Sequence, residues 1–310
     1  MAMTNNQLDI IHAIAKNDMP RARKAARAAL AEDTSKKNKT EIKNLTQLLD
    51  PAINPELTKL PYQVEGLLEV EHPKESFIPA RFHVSSAEAE LFDDISTMRT
   101  VCDELSRLRI RRSNSVLLHG KSGTGKTTFA RYIASTYDLP FYYINFSNLI
   151  DSHLGSTAKN VAKVFDYVRC EPCVLMLDEI DTIAQRRSGQ TGADGEINRI
   201  TVTIMQEFDR LNNNQIVIGA TNRLDVIDEA LIRRFSRIHE VKPPEDAYEA
   251  AAVVRAVLDD TGMTYDDGEL IVFCDKHVGK PQAWFVGKAI EHIIRTIEAR
   301  INNEGGFDER

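Results

Sequence analysis

A chain of 310 residues has room for one sizeable domain or two to three small ones, and 42% hydrophobic with 27% charged residues is the balance of an ordinary globular protein. The formal charge of −7 gives no overall signal of a nucleic-acid binder, although a net value leaves local basic patches open. No apolar run approaches the roughly 18 residues of a membrane span, and Met1–Ile14 has no basic segment leading into an apolar core, so the expectation is a cytoplasmic protein with no membrane partner.

Residues 1–50 read as a small N-terminal helical module. Leu8, Ile11, His12 and Ala15 share one helical face, Asp18 and Pro20 mark a turn and a new helix start, and Ile42, Leu45, Leu48 and Leu49 suggest a third helix. The middle helix is alanine-rich and carries Arg21, Arg23, Lys24 and Arg27, either a solvated face or a docking surface for protein or nucleic acid. Residues 51–84 hold Pro51, Pro55, Pro61, Pro73 and Pro79, which deny helix and central-strand hydrogen bonding and read as an extended linker.

From 85 to 242 strands and helices alternate. Ser115–Leu118, Phe141–Asn145, Val174–Leu177 and Ile216–Gly219 are strand candidates, and Ile238–Val241 is a fifth. Between them Thr127–Ser135 reads as a helix, as do the stripes Val161, Val164, Phe165, Val168 and Ile197, Ile200, Ile204, Phe208, Leu211. This predicts an α/β fold with a five-stranded parallel sheet covered by helices on both faces. Residues 243–310 read as a C-terminal helical lid with helices at 246–259 and 281–303, the last opened by Pro281 and lined on one side by Val286, Ile290, Ile293, Ile297 and Ile301. Cys170 and Cys173 form a C-x-x-C. With no second such pair at metal spacing, it reads as buried apolar cysteine rather than half a zinc site or a redox pair.

The chemistry concentrates in three runs. Gly120-Lys121-Ser122-Gly123-Thr124-Gly125-Lys126-Thr127 fits G-x-x-x-x-G-K-[ST] between a strand and a helix, the setting in which backbone amides turn inward to cradle phosphates. With Thr128 and Asp178 these residues make the expected nucleotide-binding set. Lys126 supplies charge to the β- and γ-phosphates, and the Thr127 hydroxyl serves Mg²⁺. Asp178 and Glu179 end an apolar strand, so Asp178 is the expected metal carboxylate and Glu179 the base for the attacking water. Asp181 either takes a direct part or orients its neighbours. Asn222 ends a further apolar strand, where its amide would position the water beside Glu179. Arg233, Arg234 and Arg237 crowd one short segment, and guanidinium groups fork onto phosphate oxygens.

Together these runs resemble the AAA ATPase family. The resemblance rests on Gly120–Thr127, on Asp178-Glu179-Ile180-Asp181, and on Gly219-Ala220-Thr221-Asn222-Arg223 followed by Asp225, Asp228, Ala230-Leu231, Arg234-Phe235 and Arg237, a block similar to that family's second region of homology. The likeness extends over about residues 90–303 and implies a five-stranded P-loop NTPase core, a helical lid, and a homo-oligomeric ring, usually a hexamer, with ATP and Mg²⁺ at each subunit boundary. It makes Asn222 a γ-phosphate sensor and Arg234 and Arg237 arginine fingers acting in trans. It places His153-Leu154-Gly155 where such ATPases carry a substrate-gripping pore loop, with histidine in the aromatic position, and the glycine-bearing stretch 186–196 at a second pore loop. The run from Gly279 to Trp284 departs from the family pattern, so no adenine contacts carry over there. The implied function is an ATP-driven remodeller or unfoldase of protein substrates that resembles the small bacterial or phage type, with any partner protease on a separate chain. The alternatives are a nucleic-acid-linked ATPase such as a helicase loader or transposition ATPase, for which Arg109, Arg111 and Arg112 speak, and a nucleotide-switched scaffold.

Overall fold

The apolar runs singled out above pair into one sheet. The computed structural model describes residues 3–15, 19–32, 39–48, 64, 67–72, 76–110, 112–146, 157–169, 172–183, 192–211 and 214–304. Six strands, β1 (Glu69–Glu71), β2 (Asn114–His119), β3 (Phe141–Asn145), β4 (Val174–Asp178), β5 (Ile216–Thr221) and β6 (Arg237–Glu240), run in the order β1-β3-β4-β5-β2-β6. The five strands from β3 to β6 in that order are parallel, as the alternation of elements implies. The sixth comes from within the proline-bearing segment read as an extended linker: β1 pairs antiparallel with β3 at the sheet edge. At three residues with glutamate at both ends it shows no apolar alternation. It is fastened instead by Arg131, whose guanidinium donates from Nε and Nη2 to the two Glu71 carboxylate oxygens at 2.8 Å each.

Alternate side chains of the parallel strands feed two cores, as a pleated sheet covered on both faces requires. On one face Leu117, Ile144, Leu175, Leu177 and Val217 pack against α6 (Thr157–Val168) and α7 (Gly192–Phe208). On the other, Val116, Leu118, Met176, Ile216 and Ile218 pack against α4 (Ser86–Arg107) and α5 (Lys126–Tyr137). Each fully buried aliphatic side chain contributes about 1.5–3 kcal/mol, so the layers hold the loops at the carboxyl ends of the strands rigidly in place. A capping box opens α4: the Ser85 amide donates to Glu88 Oε2 at 2.9 Å and the Glu88 amide to Ser85 Oγ at 3.3 Å. Gly219 in β5 lets the Phe235 ring lie against the strand, since a Cβ there would sit 2.6 Å from Phe235 Cζ. That ring, edge-on to Phe208 at 5.0 Å, anchors the arginine-bearing segment that follows α8 (Glu229–Ile232).

The C-terminal lid has three helices among the described residues, not the two read from sequence: α9 (Ala247–Asp260), α10 (Asp267–Asp275) and α11 (Gln282–Glu304). They close a separate core around Val253, Val257, Cys274, Phe285 and Ala289. Of the stripe expected along α11, Val286 and Ile293 pack on that core, whereas Ile290, Ile297 and Ile301 are exposed. At 23 residues α11 outruns the 14-residue α9 against which it packs. At the other end α1 (Asn5–Ala15) and α2 (Met19–Glu32) form a hairpin whose contact is made by the small residues Ala13, Ala22 and Ala25, and α3 (Lys39–Leu48) follows. Cys173 is buried at the entry to β4, and Cys170 lies outside the described residues.

Candidate nucleotide site

The phosphate loop leaves β2, turns through residues 120–125 and enters α5 at Lys126. Gly125 caps that helix at φ 105° and ψ 8°, a left-handed conformation that glycine adopts without steric cost and that aims the first helical amides into the turn. Thr124 is buried and ties the loop to itself, its hydroxyl donating to the Lys121 carbonyl at 3.0 Å. Lys126 is nearly buried, and all three ammonium hydrogens are used: on the carbonyls of Gly120 and Lys121, each at 2.9 Å, and on Asn222 Oδ1 at 2.8 Å. Desolvation lowers its pKa from the ordinary lysine value, with the Asp178 and Asp181 charges pulling the other way. A buried ammonium held on neutral acceptors gains by meeting an anion, so phosphate is a fitting ligand.

Sheet order brings the remaining residues to the loop. β5 lies between β2 and β4, so Asn222 at the end of β5 and Asp178 at the end of β4 arrive beside it. Asp178 Oδ2 accepts from the Thr127 hydroxyl at 3.0 Å, and Asp178 Oδ1 accepts from the Glu179 amide at 2.9 Å. Glu179 itself is left-handed, at φ 53° and ψ 41°. For a non-glycine residue this conformation costs of order 1–3 kcal/mol and recurs at functional sites. The structure gives Asp181 an orienting contact: its Oδ1 accepts from the Thr221 hydroxyl at 2.8 Å, and Thr221 Oγ1 accepts from the Arg223 amide at 2.9 Å. Asp181 thus braces the turn that carries Asn222.

One contact escaped the sequence reading altogether. Tyr143 on β3 donates its hydroxyl to Asp178 Oδ2 at 3.1 Å. Burial, opposed by the Asn145 hydrogen bond and aided by the Asp178 charge, pushes the phenol pKa up to about 12, so the donor proton stays in place.

Above these groups lies a cleft of about 580 Å³ that takes in Ser122, Gly123, Gly125, Lys126, Thr127 and Thr128 together with Asp178, Glu179 and Asn222. Its apolar wall was not legible in the sequence: Phe77, Ile78 and Phe82 come from the segment before α4, and Val253, Ala283 and Val286 from the lid. The lid touches the phosphate loop directly. The Ala283 amide donates to the Gly123 carbonyl at 2.9 Å, and Gln282 Nε2 donates to the His83 carbonyl at 3.1 Å. The Gly279–Trp284 run, which carried no contacts over from the family pattern, therefore supplies two residues to the cleft.

The arginines do not converge there within one chain. Arg234 donates from Nη1 to the Ala230 carbonyl at 2.8 Å and from Nη2 to Asp209 at 3.4 Å, and Arg237 donates from Nε to Asp94 Oδ2 at 3.1 Å. Arg233 is the most exposed of the three, 78% against 32% and 22%, and pairs with Glu229 at 3.4 Å. His153, Leu154 and Gly155 lie outside the described residues, as does most of the glycine-bearing stretch 186–196.

A divalent cation fits the donor set. Thr127 Oγ1 and the Asp178 carboxylate are hard oxygen donors already joined by a 3.0 Å hydrogen bond at the foot of the phosphate cradle. Mg²⁺ is commonly held by one or two such protein oxygens, with substrate phosphates and water completing the shell.

Comparison with known proteins agrees with this geometry. Residues 116–243 match the ATPase family associated with various cellular activities (AAA). The peroxisomal ATPase PEX6 of Eremothecium gossypii is 32% identical over 176 residues, 55% of this chain and 17% of that relative. PEX6 of Rattus norvegicus is 37% identical over 159 residues, 50% of this chain and 16% of that relative. PEX6 of Komagataella pastoris is 36% identical over 143 residues, 44% of this chain and 12% of that relative. The chain thus spans about a sixth or less of the length of these relatives. With the phosphate loop, the paired carboxylates and the five parallel strands in place, residues 116–243 form an AAA ATPase domain.

Proposed function

We propose that this chain hydrolyses ATP with Mg²⁺ as a homo-oligomeric ring, hexameric by family likeness, and spends the cycle on remodelling protein substrates. The observation that carries the reading is the convergence of Lys126, Thr127, Asp178, Glu179 and Asn222 on one cleft with the phosphate loop. Loop amides and Lys126 hold the phosphates. Thr127 and Asp178 hold Mg²⁺, which when bound neutralises developing phosphate charge. Glu179 takes the proton of the attacking water, and Asn222 orients that water. Arg234 and Arg237 serve a neighbouring subunit's nucleotide after exchanging Asp209 and Asp94, two carboxylates whose 62% and 65% exposure makes them weak competitors for a triphosphate. His153 and Leu154, with Gly155 beside them in sequence, grip the polypeptide. The N-terminal helices over residues 1–50, joined by the 51–84 segment, select the substrate or a separate protease. Among the described residues no helix is long and apolar enough to cross a membrane. The proposed place of work is the cytoplasm.

The test is what stimulates phosphate release. An unfolded polypeptide added to the full chain should raise turnover, and single- or double-stranded DNA should not. Stimulation by DNA alone would transfer the chain to the nucleic-acid-linked class. A rate insensitive to both would favour a nucleotide-switched scaffold.

A further inference from the structure

We infer that Tyr143 is a positioning residue for the metal-binding carboxylate, its hydroxyl fixing the orientation in which Asp178 faces Thr127. This rests on the proposal that Asp178 holds Mg²⁺. An aspartate at a strand end has a broad terminal torsion, and one hydroxyl partner leaves it free to swing. Here three donors from three elements meet it: Thr127 Oγ1 of α5 and Tyr143 OH of β3 on Oδ2, at 3.0 and 3.1 Å, and the Glu179 amide on Oδ1 at 2.9 Å. A carboxylate has about four lone-pair positions, so these contacts fill Oδ2 and leave a position on Oδ1 for a cation or its bound water.

The register explains how a tyrosine reaches the site. Asn145 is the β3 residue paired with Asp178, and Tyr143, two residues before it, shares its face of the sheet. Asn145 Nδ2 donates to the Tyr143 oxygen at 3.4 Å, which leaves the phenolic proton for Asp178. The relay therefore runs one way, Asn145 to Tyr143 to Asp178. The edge strand flanks it: Glu69 of β1 pairs with Tyr143, and the Arg131–Glu71 fork holds β1 on β3. In this arrangement β1 does more than close the sheet, since it lies across the strand that presents the tyrosine. Partners one step out from a metal ligand typically set 10–100-fold of metal affinity.

The experiment uses the full chain, its Tyr143→Phe variant and its Asp178→Asn variant. Binding of a fluorescent ATP analogue is followed as Mg²⁺ is titrated in, and again in EDTA. For Tyr143→Phe the Mg²⁺ midpoint should rise about 10-fold while nucleotide affinity in EDTA stays that of the parent, which also reports an intact cleft. An unchanged Mg²⁺ midpoint in Tyr143→Phe alongside a shifted one in Asp178→Asn overturns the role of the tyrosine. Unchanged midpoints in both overturn the assignment of Asp178 to the metal. Loss of affinity in EDTA equal to that in Mg²⁺ reduces Tyr143 to a packing residue and also overturns the inference.

Discussion

Replacing Gly125 by alanine should destabilise the chain through the lid as well as through the loop. At φ 105° a side chain meets its own backbone, at a cost of roughly 1–2 kcal/mol. The added Cβ would also lie 2.2 Å from Gln282 Oε1, too close for any contact. The amide must move, and in moving it gives up its 3.1 Å hydrogen bond to the His83 carbonyl, worth about 1 kcal/mol net. The expected total is about 2–3 kcal/mol in the parent and about 1–2 kcal/mol in a Gln282→Ala background, where neither clash nor hydrogen bond exists. The difference of about 1 kcal/mol corresponds to roughly 2–4 °C in the midpoint of thermal unfolding for a domain of this size. Four proteins suffice: parent, both single variants and the double. Equal losses in the two backgrounds would mean that Gln282 does not occupy the space beside Gly125, and the approach of that side chain to the phosphate loop would have to be abandoned.

Two further outcomes are expected. Burial raises the Glu88 carboxyl above its ordinary 4.5, against two hydrogen bonds from Ser85 that lower it and with a small contribution from Glu249 in the raising direction. The folded chain therefore holds that proton more tightly than the unfolded one, and stability from this group falls as pH rises from 4.5 through the raised value. Glu88→Gln keeps an acceptor for the Ser85 amide and should flatten that decline in urea unfolding followed across the same range; an unaltered slope would show that the carboxyl is not strained by burial. Arg234→Ala should leave nucleotide affinity near that of the parent and lower turnover by about 10³-fold, with the parent's rate per chain rising with protein concentration. A rate per chain that survives dilution would rule out completion of the site by a neighbour.

What could be read from the sequence followed from how locally each feature is encoded. The phosphate loop declares itself because its eight positions are contiguous and each does one job. The inner parallel strands show because burial on both faces leaves nearly continuous apolar runs, as in Val174–Leu177 and Ile216–Ala220, whereas the edge strand β6, Arg-Ile-His-Glu, is partly exposed and carries no such run. β1 stayed hidden because Glu69-Val70-Glu71 is held by an arginine sixty positions away. Tyr143 stayed hidden for a related reason: in a strand reading Phe-Tyr-Tyr-Ile-Asn it looks like one more aromatic core residue, and only the pairing of β3 with β4 turns its hydroxyl toward Asp178. The apolar wall of the cleft combines Phe77 and Ile78 with Val253 and Val286, residues that no local pattern connects. α10 was missed because its Leu-Ile-Val-Phe run has no amphipathic period to separate helix from strand.

The most direct measurement is ATP binding and phosphate release by Glu179→Gln beside the parent chain, at concentrations where the parent turns over. Glutamine preserves the shape of the side chain but cannot take a proton. The variant should retain bound ATP with an affinity like the parent's while phosphate release falls to background. Release at a near-parental rate would show that the base lies elsewhere and that the cleft does not work as described.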